Sequence, residues 1–108
     1  MKTVYLAGPM RGLPLYNFPA FHDAAKRLRE AGYEVWSPAE RDLNEDGFDP
    51  ATGVARTLRE YMLHDLPAVL SSDMIVVLPG WEQSQGASLE VYVAKACEIP
   101  VRPIDEVA

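Results

Sequence analysis

The chain has a single cysteine, Cys97, so no disulfide can form within it. It has no apolar run approaching the ~20 residues that a membrane-spanning helix requires. Its first residues, MKTVYLAGPM, reach a Gly-Pro turn before the apolar region of a secretory signal could form. These absences predict a cytoplasmic protein with no membrane partner. Basic residues are scarce: 10 Lys and Arg stand against 16 Asp and Glu, for a formal charge of −6. Binding a nucleic-acid polymer needs clustered cations to displace counterions from phosphates, so a small molecule is the expected partner instead. His22, His64 and Cys97 lack any ligand-type spacing, which argues against a metal site, and no cofactor is expected. Repeats, linkers and low-complexity tracts are also missing.

What is present suits one globular domain over residues 1–108, with 48% hydrophobic and 24% charged residues. KTVYLAG is β-branched and aromatic and stops at Gly8-Pro9, as a buried strand does. Phe18, Phe21, Ala25 and Leu28 recur at helical spacing before Gly32, which predicts an amphipathic helix. YEVWSPA reads as a second strand, and residues 39–53 read as an acidic, turn-rich functional loop. A second helical pattern covers about Val54 to Ser71, and Asp73 precedes the strand MIVVL as a strand-start or cap residue. A third helix begins near Gly86, and IPVRPI supplies a short last strand. Strands alternating with helices predict an α/β open three-layer sandwich, flavodoxin- or Rossmann-like, with a mainly parallel sheet of four or five strands. Ligands of such sheets bind beyond the carboxyl ends of the strands. Here those ends are GPMRGLPLYN, SPAERD and PGWEQSQG.

Two carboxylates interrupt apolar faces. At about 100° per residue, Ala87, Val93, Ala94 and Cys97 all fall within about 60° of Glu90, so Glu90 centres a small-residue face with room for a ligand. A solvated glutamate in an early helical turn is the alternative. Asp65 shares a face with Leu58, Met62 and Val69. Burial of an aspartate there would need a partner or a function. Pro67 leaves a second possibility, in which the helix breaks and Asp65 caps a short one. Two carboxyl groups at strand ends suit glycosidic-bond cleavage, where one attacks the anomeric carbon and the other handles the leaving-group proton. Ser84 to Gly86 at a helix start offers a hydroxyl and N–H groups to an anion, and Arg11 offers a guanidinium.

VYLAGPMRG, the HDL before DMIVVL, and SQGASLE at the last helix together resemble the nucleoside 2-deoxyribosyltransferase superfamily. The likeness is to its short branch common in bacteria and phages, related to the deoxynucleoside 5′-monophosphate N-glycosidases, and it spans nearly the whole chain. It implies that Glu90 is the nucleophile toward C1′, that Asp65 assists with the base proton and sugar, and that Tyr5 orients the glutamate. Tyr5 fits a core aromatic equally well. The resemblance further implies that Ser84, with Gly86 beside it, meets a 5′-phosphate. It also implies that Met10, Arg11 and Gly12, in the loop opened by Gly8, line the ligand. Trp81 is a candidate for stacking on the base from its loop position. Ser88, where the monophosphate branch has glycine, departs from the pattern, as does Pro67. A homodimer or larger homo-oligomer is implied.

The expected function is therefore N-glycosidic cleavage or transfer on a nucleoside or its 5′-monophosphate. The alternatives are a nucleotide-binding or sensing module without turnover, and an interaction protein using Asp42, Glu45, Asp46 and Asp49.

Overall fold

The computed structural model describes residues 2–54 and 56–108, with Glu45 and Asp46 as backbone only. Four strands form one all-parallel sheet: β1 (Thr3–Ala7), β2 (Glu34–Trp36), β3 (Met74–Val77) and β4 (Val101–Pro103), in the order β2-β1-β3-β4. Five helices connect or follow them: α1 (Phe18–Glu30), α2 (Pro38–Asp46), α3 (Leu58–Ser71), α4 (Gln85–Ala96) and α5 (Ile104–Val107). The chain steps from β1 to β2 on one side and then to β3 on the other. The strand order therefore reverses beside β1, which opens a crevice at the carboxyl ends of β1 and β3.

Alternate residues of β1 and β3 feed two cores, as a sheet covered on both faces requires. Val4, Leu6 and Val76 pack against Phe18, Phe21 and Leu28 of α1, with Ala39 of α2 and Ile104 of α5. Tyr5, Ala7, Ile75 and Val77 pack against Val69 of α3 and against Ala87, Val91 and Ala94 of α4. Asp73 ties the start of the sheet together by accepting the Thr3 amide at 2.9 Å.

Three boundaries differ from the sequence reading. The strand expected through YEVWSPA ends at Trp36, and the expected acidic loop contains α2. Ser37 is extended (φ −116°, ψ 126°), Pro38 takes the first helical turn, where its missing N–H costs nothing, and Gly47 closes the helix at φ 64°. Ala39 and Asp42, three residues apart, form its buried face. The helix expected from Val54 starts instead at Leu58, where Thr57 and Glu60 form a capping box. Ala55, within that expected span, lies outside the described residues.

The reading in which Pro67 breaks the helix and Asp65 caps a new one is overturned, because α3 runs through Pro67 without interruption. Beyond the proline, the Ser71 and Ser72 hydroxyls bond back to the carbonyls of Pro67 and Ala68.

Candidate active site

Glu90 occupies the second turn of α4, on the same face as buried Ala87 and Ala94, and is 4% exposed. The Tyr5 phenol donates to Glu90 Oε2 at 2.7 Å. Tyr5 sits in mid-β1, and strand register places Trp36 directly beside it. Their rings stack with centroids 5.1 Å apart and planes 17° from parallel, which holds the phenol in its direction. Tyr5 therefore lies behind Glu90, with its hydroxyl aimed at the carboxylate.

Asp65 reaches the same point from α3 and is 7% exposed. Its carboxyl and that of Glu90 are close enough to share a proton and to perturb one another. Burial pushes Glu90 well above the usual carboxylate range, and the Asp65 charge adds to this; the Tyr5 hydrogen bond opposes it. Burial raises Asp65 to about 6, with the Asp42 charge contributing, while the proton shared with Glu90 holds it down. Tyr5 is raised well above its ordinary value, by burial first and then by Glu90 and Asp65. Two carboxyl groups in contact out of water cannot both ionise readily, so the pair retains a proton near neutrality.

Glu90 and Asp65 face a cavity of about 600 Å³ at the switch point of the sheet. Such a volume lies in the range of small-molecule sites. Asp65 and Glu90 form its polar floor, and Gly8, Met10, Arg11 and Gly12 contribute the first-loop wall. Gly8 is required by close approach: a Cβ there would stand 2.9 Å from the Leu78 Cβ. Arg11 lies 6.0 Å from the Tyr61 ring, and its guanidinium donates to the Arg56 carbonyl at 2.5 Å, bridging the first loop to the segment before α3. Ser84 and Gly86 line the cavity at the start of α4, where the Ser84 hydroxyl accepts the Ala87 amide at 3.2 Å. That bond caps the helix and leaves the hydroxyl proton to donate. Ser88, the departure noted in the motif, points its hydroxyl back to the Glu82 carbonyl at 3.4 Å.

Trp81 does not line this cavity. It packs against the core shared by Tyr5, Ala87 and Val91, because the short turn Trp81–Gln83 after β3 directs its ring toward that side.

The sequence reading missed several lining residues. Asp42, 6% exposed, brings a third carboxylate from α2, with Arg41 at 3.5 Å. Its pairing with Ala39 at helical spacing between Ser37-Pro38 and Gly47 was the available signal. The burial of Asp42 removes it from any acidic surface for a partner; Asp49 bonds the Ala51 amide, and the Glu45 and Asp46 side chains lie outside the described residues. Tyr16 and Phe48 add an aromatic wall, for which the local sequence carries no periodic cue. Among the described residues, no group of three or more His, Cys, Asp or Glu is arranged to hold a metal ion. No described helix is long and apolar enough to cross a membrane.

A parallel 2-1-3-4 sheet with a carboxylate pair at its switch point defines an α/β protein with the nucleoside 2-deoxyribosyltransferase-like fold. The structure is similar to a 2-deoxyribosyltransferase from the psychrotolerant bacterium Bacillus psychrosaccharolyticus, with a TM-score of 0.68 and 20% identity over 94% of this chain and 70% of that one. It is similar also to a conserved protein from Enterococcus faecalis V583, with a TM-score of 0.70 and 24% identity over 95% of this chain. Only 62% of the Enterococcus protein is covered, so this chain spans less than two thirds of it. Residues 2–102 match the family described as a domain of unknown function, DUF4406, and the chain belongs to that family. No curated protein matches the sequence.

Proposed function

We propose that the protein cleaves the N-glycosidic bond of a nucleoside or nucleoside 5′-monophosphate by double displacement through Glu90. The observation that carries this reading is the convergence of Glu90 and Asp65 on the floor of the cavity, with the Tyr5 hydroxyl bonded to Glu90 from behind. On substrate binding the shared proton passes from Glu90 to Asp65. Glu90 then attacks C1′, the C1′–N bond breaks, and Asp65 delivers the proton to the departing base nitrogen. Water attacks C1′ of the glycosyl-enzyme, gives a proton to the Asp65 carboxylate and releases Glu90; a second base in place of water would give transfer. Ser84 favours a 5′-phosphorylated substrate, with hydrolysis ahead of transfer. The 2-deoxyribosyltransferase likeness supports the sugar-transfer chemistry as a class.

We extend the proposal to a homo-oligomer, because Leu63 and Leu70 on α3 and Tyr92 on α4 expose apolar surface that a second copy would cover.

Incubation with each nucleoside and 5′-monophosphate, with chromatography for free base, tests the activity. Base release should fall by roughly a thousandfold or more in Glu90→Ala. No release from any substrate, or release undiminished in that variant, sinks the proposal. Burial that pushes the Glu90 carboxyl well above the usual range favours the alternative of a sensing module without turnover. Thermal stabilisation by nucleotides with no product would establish that reading instead.

A further inference from the structure

We propose that Tyr16 and Phe48 form the seat on which the planar base of the substrate stacks, the role that the position of Trp81 in the sequence had suggested for that residue. This rests on the reading of the cavity as a nucleoside site.

Four aromatic rings line the cavity: Tyr16, Phe18, Phe48 and Tyr61. Two of them are committed elsewhere. Phe18 is 2% exposed within the α1 core, and Tyr61 faces the Arg11 guanidinium while its hydroxyl accepts the Arg56 amide. Tyr16 and Phe48 are half-buried and meet edge to face, with centroids 5.2 Å apart and planes at 77°. Both rings also pack at the margin of the α1 core, Phe48 with its centroid 5.9 Å from that of Phe18, yet each stays half-buried and lines the cavity, so part of each ring is open to another planar group.

Their place along the wall matches the base end of a substrate. With C1′ at Glu90, the departing base lies at Asp65, which would protonate it. Asp42 lies close enough to Asp65 for its charge to act there. The Phe48 amide donates to the Asp42 carbonyl at 2.9 Å, and the Tyr16 ring follows Phe48. Asp65, Asp42 and the aromatic pair thus line one cavity, with Phe48 tied to Asp42 through the backbone.

The seat is also built at a conformational cost. Leu15, Tyr16 and Asn17 all adopt left-handed backbone angles (φ 52°, 50° and 60°), which residues with a Cβ avoid. Bonds that hold this turn include Tyr16 amide to Leu13 carbonyl at 3.0 Å, Asn17 Nδ2 to Pro9 carbonyl at 2.9 Å, and Tyr16 hydroxyl to Gly53 carbonyl at 3.2 Å. Gly53 admits Phe48 from the other side, since a Cβ there would fall 2.4 Å from Phe48 Cε2. Strain of this kind persists where the surroundings fix a side chain for a task, and here it fixes the Tyr16 ring on the cavity wall.

Tyr16→Ala, Phe48→Leu and Tyr16→Phe, each checked for cooperative thermal unfolding, test the seat. The probes are free adenine, guanine, cytosine and thymine, a nucleoside 5′-monophosphate, and ribose 5-phosphate, which has no base. Calorimetry should show Tyr16→Ala and Phe48→Leu weakening base and nucleotide binding about 10-fold, in line with base–aromatic stacking, while ribose 5-phosphate binding is unchanged. Tyr16→Phe keeps the ring and loses only the bond to the Gly53 carbonyl, so it should weaken binding several-fold less than Tyr16→Ala. If a nucleotide is turned over, KM should rise with kcat little changed. Base binding that depends on both rings but comes without turnover upholds the seat and removes the proposed activity. Turnover with KM and base affinity unchanged in both ring-removing variants overturns the seat and leaves the activity standing. Equal weakening of ribose 5-phosphate also overturns it, and failure of every base and nucleotide to bind the parent protein overturns both.

Discussion

The Tyr5 hydroxyl and the Glu90 carboxylate, 85 residues apart in sequence, meet in a 2.7 Å hydrogen bond away from water. A phenol that donates to the ionised form of a carboxylate favours that form, so Tyr5 counteracts the burial that keeps Glu90 protonated. Trp36 steadies the donor from the neighbouring strand.

Tyr5→Phe removes the donor and keeps the ring. Base release should fall about 10- to 100-fold in kcat, a range typical of a lost charge-assisted hydrogen bond. The Glu90 pKa should rise further, and carbon-13 NMR of glutamate-labelled protein, compared with Glu90→Gln for assignment, measures it directly. An unchanged titration would remove the tuning role.

Stability should fall as pH rises through the range of these groups. Asp65 is raised from 3.8 to about 6 in the folded chain. Between those values the folded state binds more protons than the unfolded state, so the contribution of this group is fully present below about 4 and is lost on the way to 6. Glu90, also raised well above the ordinary carboxylate range, adds a loss of the same sign. Asp65→Asn and Glu90→Gln should each raise stability at neutral pH by about 1–3 kcal/mol and flatten this dependence. Urea unfolding from pH 4 to 8 checks both points.

Asp42→Asn should act on Asp65 through charge. The ionised Asp42 carboxylate raises Asp65, while the Arg41 guanidinium holds it down, so neutralising Asp42 lowers it. The acid limb of kcat/KM, expected near pH 6 where the carboxyl pair falls to one proton, should move down by about half to one pH unit. A limb that stays in place, with activity intact, would show that Asp42 does not act on the pair.

Pro67→Ala should stabilise the protein by about 1 kcal/mol or more, because it restores an N–H inside a continuous helix. Activity should remain within about twofold. Thermal unfolding and base release check the two halves of this expectation, and a large loss of activity would mean that the proline sets the direction of Asp65.

Several elements were legible because their signals are local. The buried strands read as apolar runs, α1 carries its face at helical spacing, and Glu90 and Asp65 each break such a face. The α/β alternation placed the crevice at the strand ends, where Ser84 and the first loop line it. α2 was obscured because Asp, Asn and Glu dominate it, and these residues suit a loop equally well until burial of Ala39 and Asp42 selects the helix. The Trp81 ring went to the opposite core because a loop position does not give a side chain its direction.

By itself the amino-acid sequence determined the layers, the family and the two carboxylates, since periodicity and motif spacing are properties of neighbouring residues. Only the tertiary structure brought the Tyr5 hydroxyl to Glu90 and Asp42 to the cavity wall. It alone also brought Tyr16 and Phe48 into edge contact. Those relationships depend on strand register, on which face of α2 is buried, and on a left-handed turn held by bonds to distant segments. The chain settles such features only when its separate elements pack together.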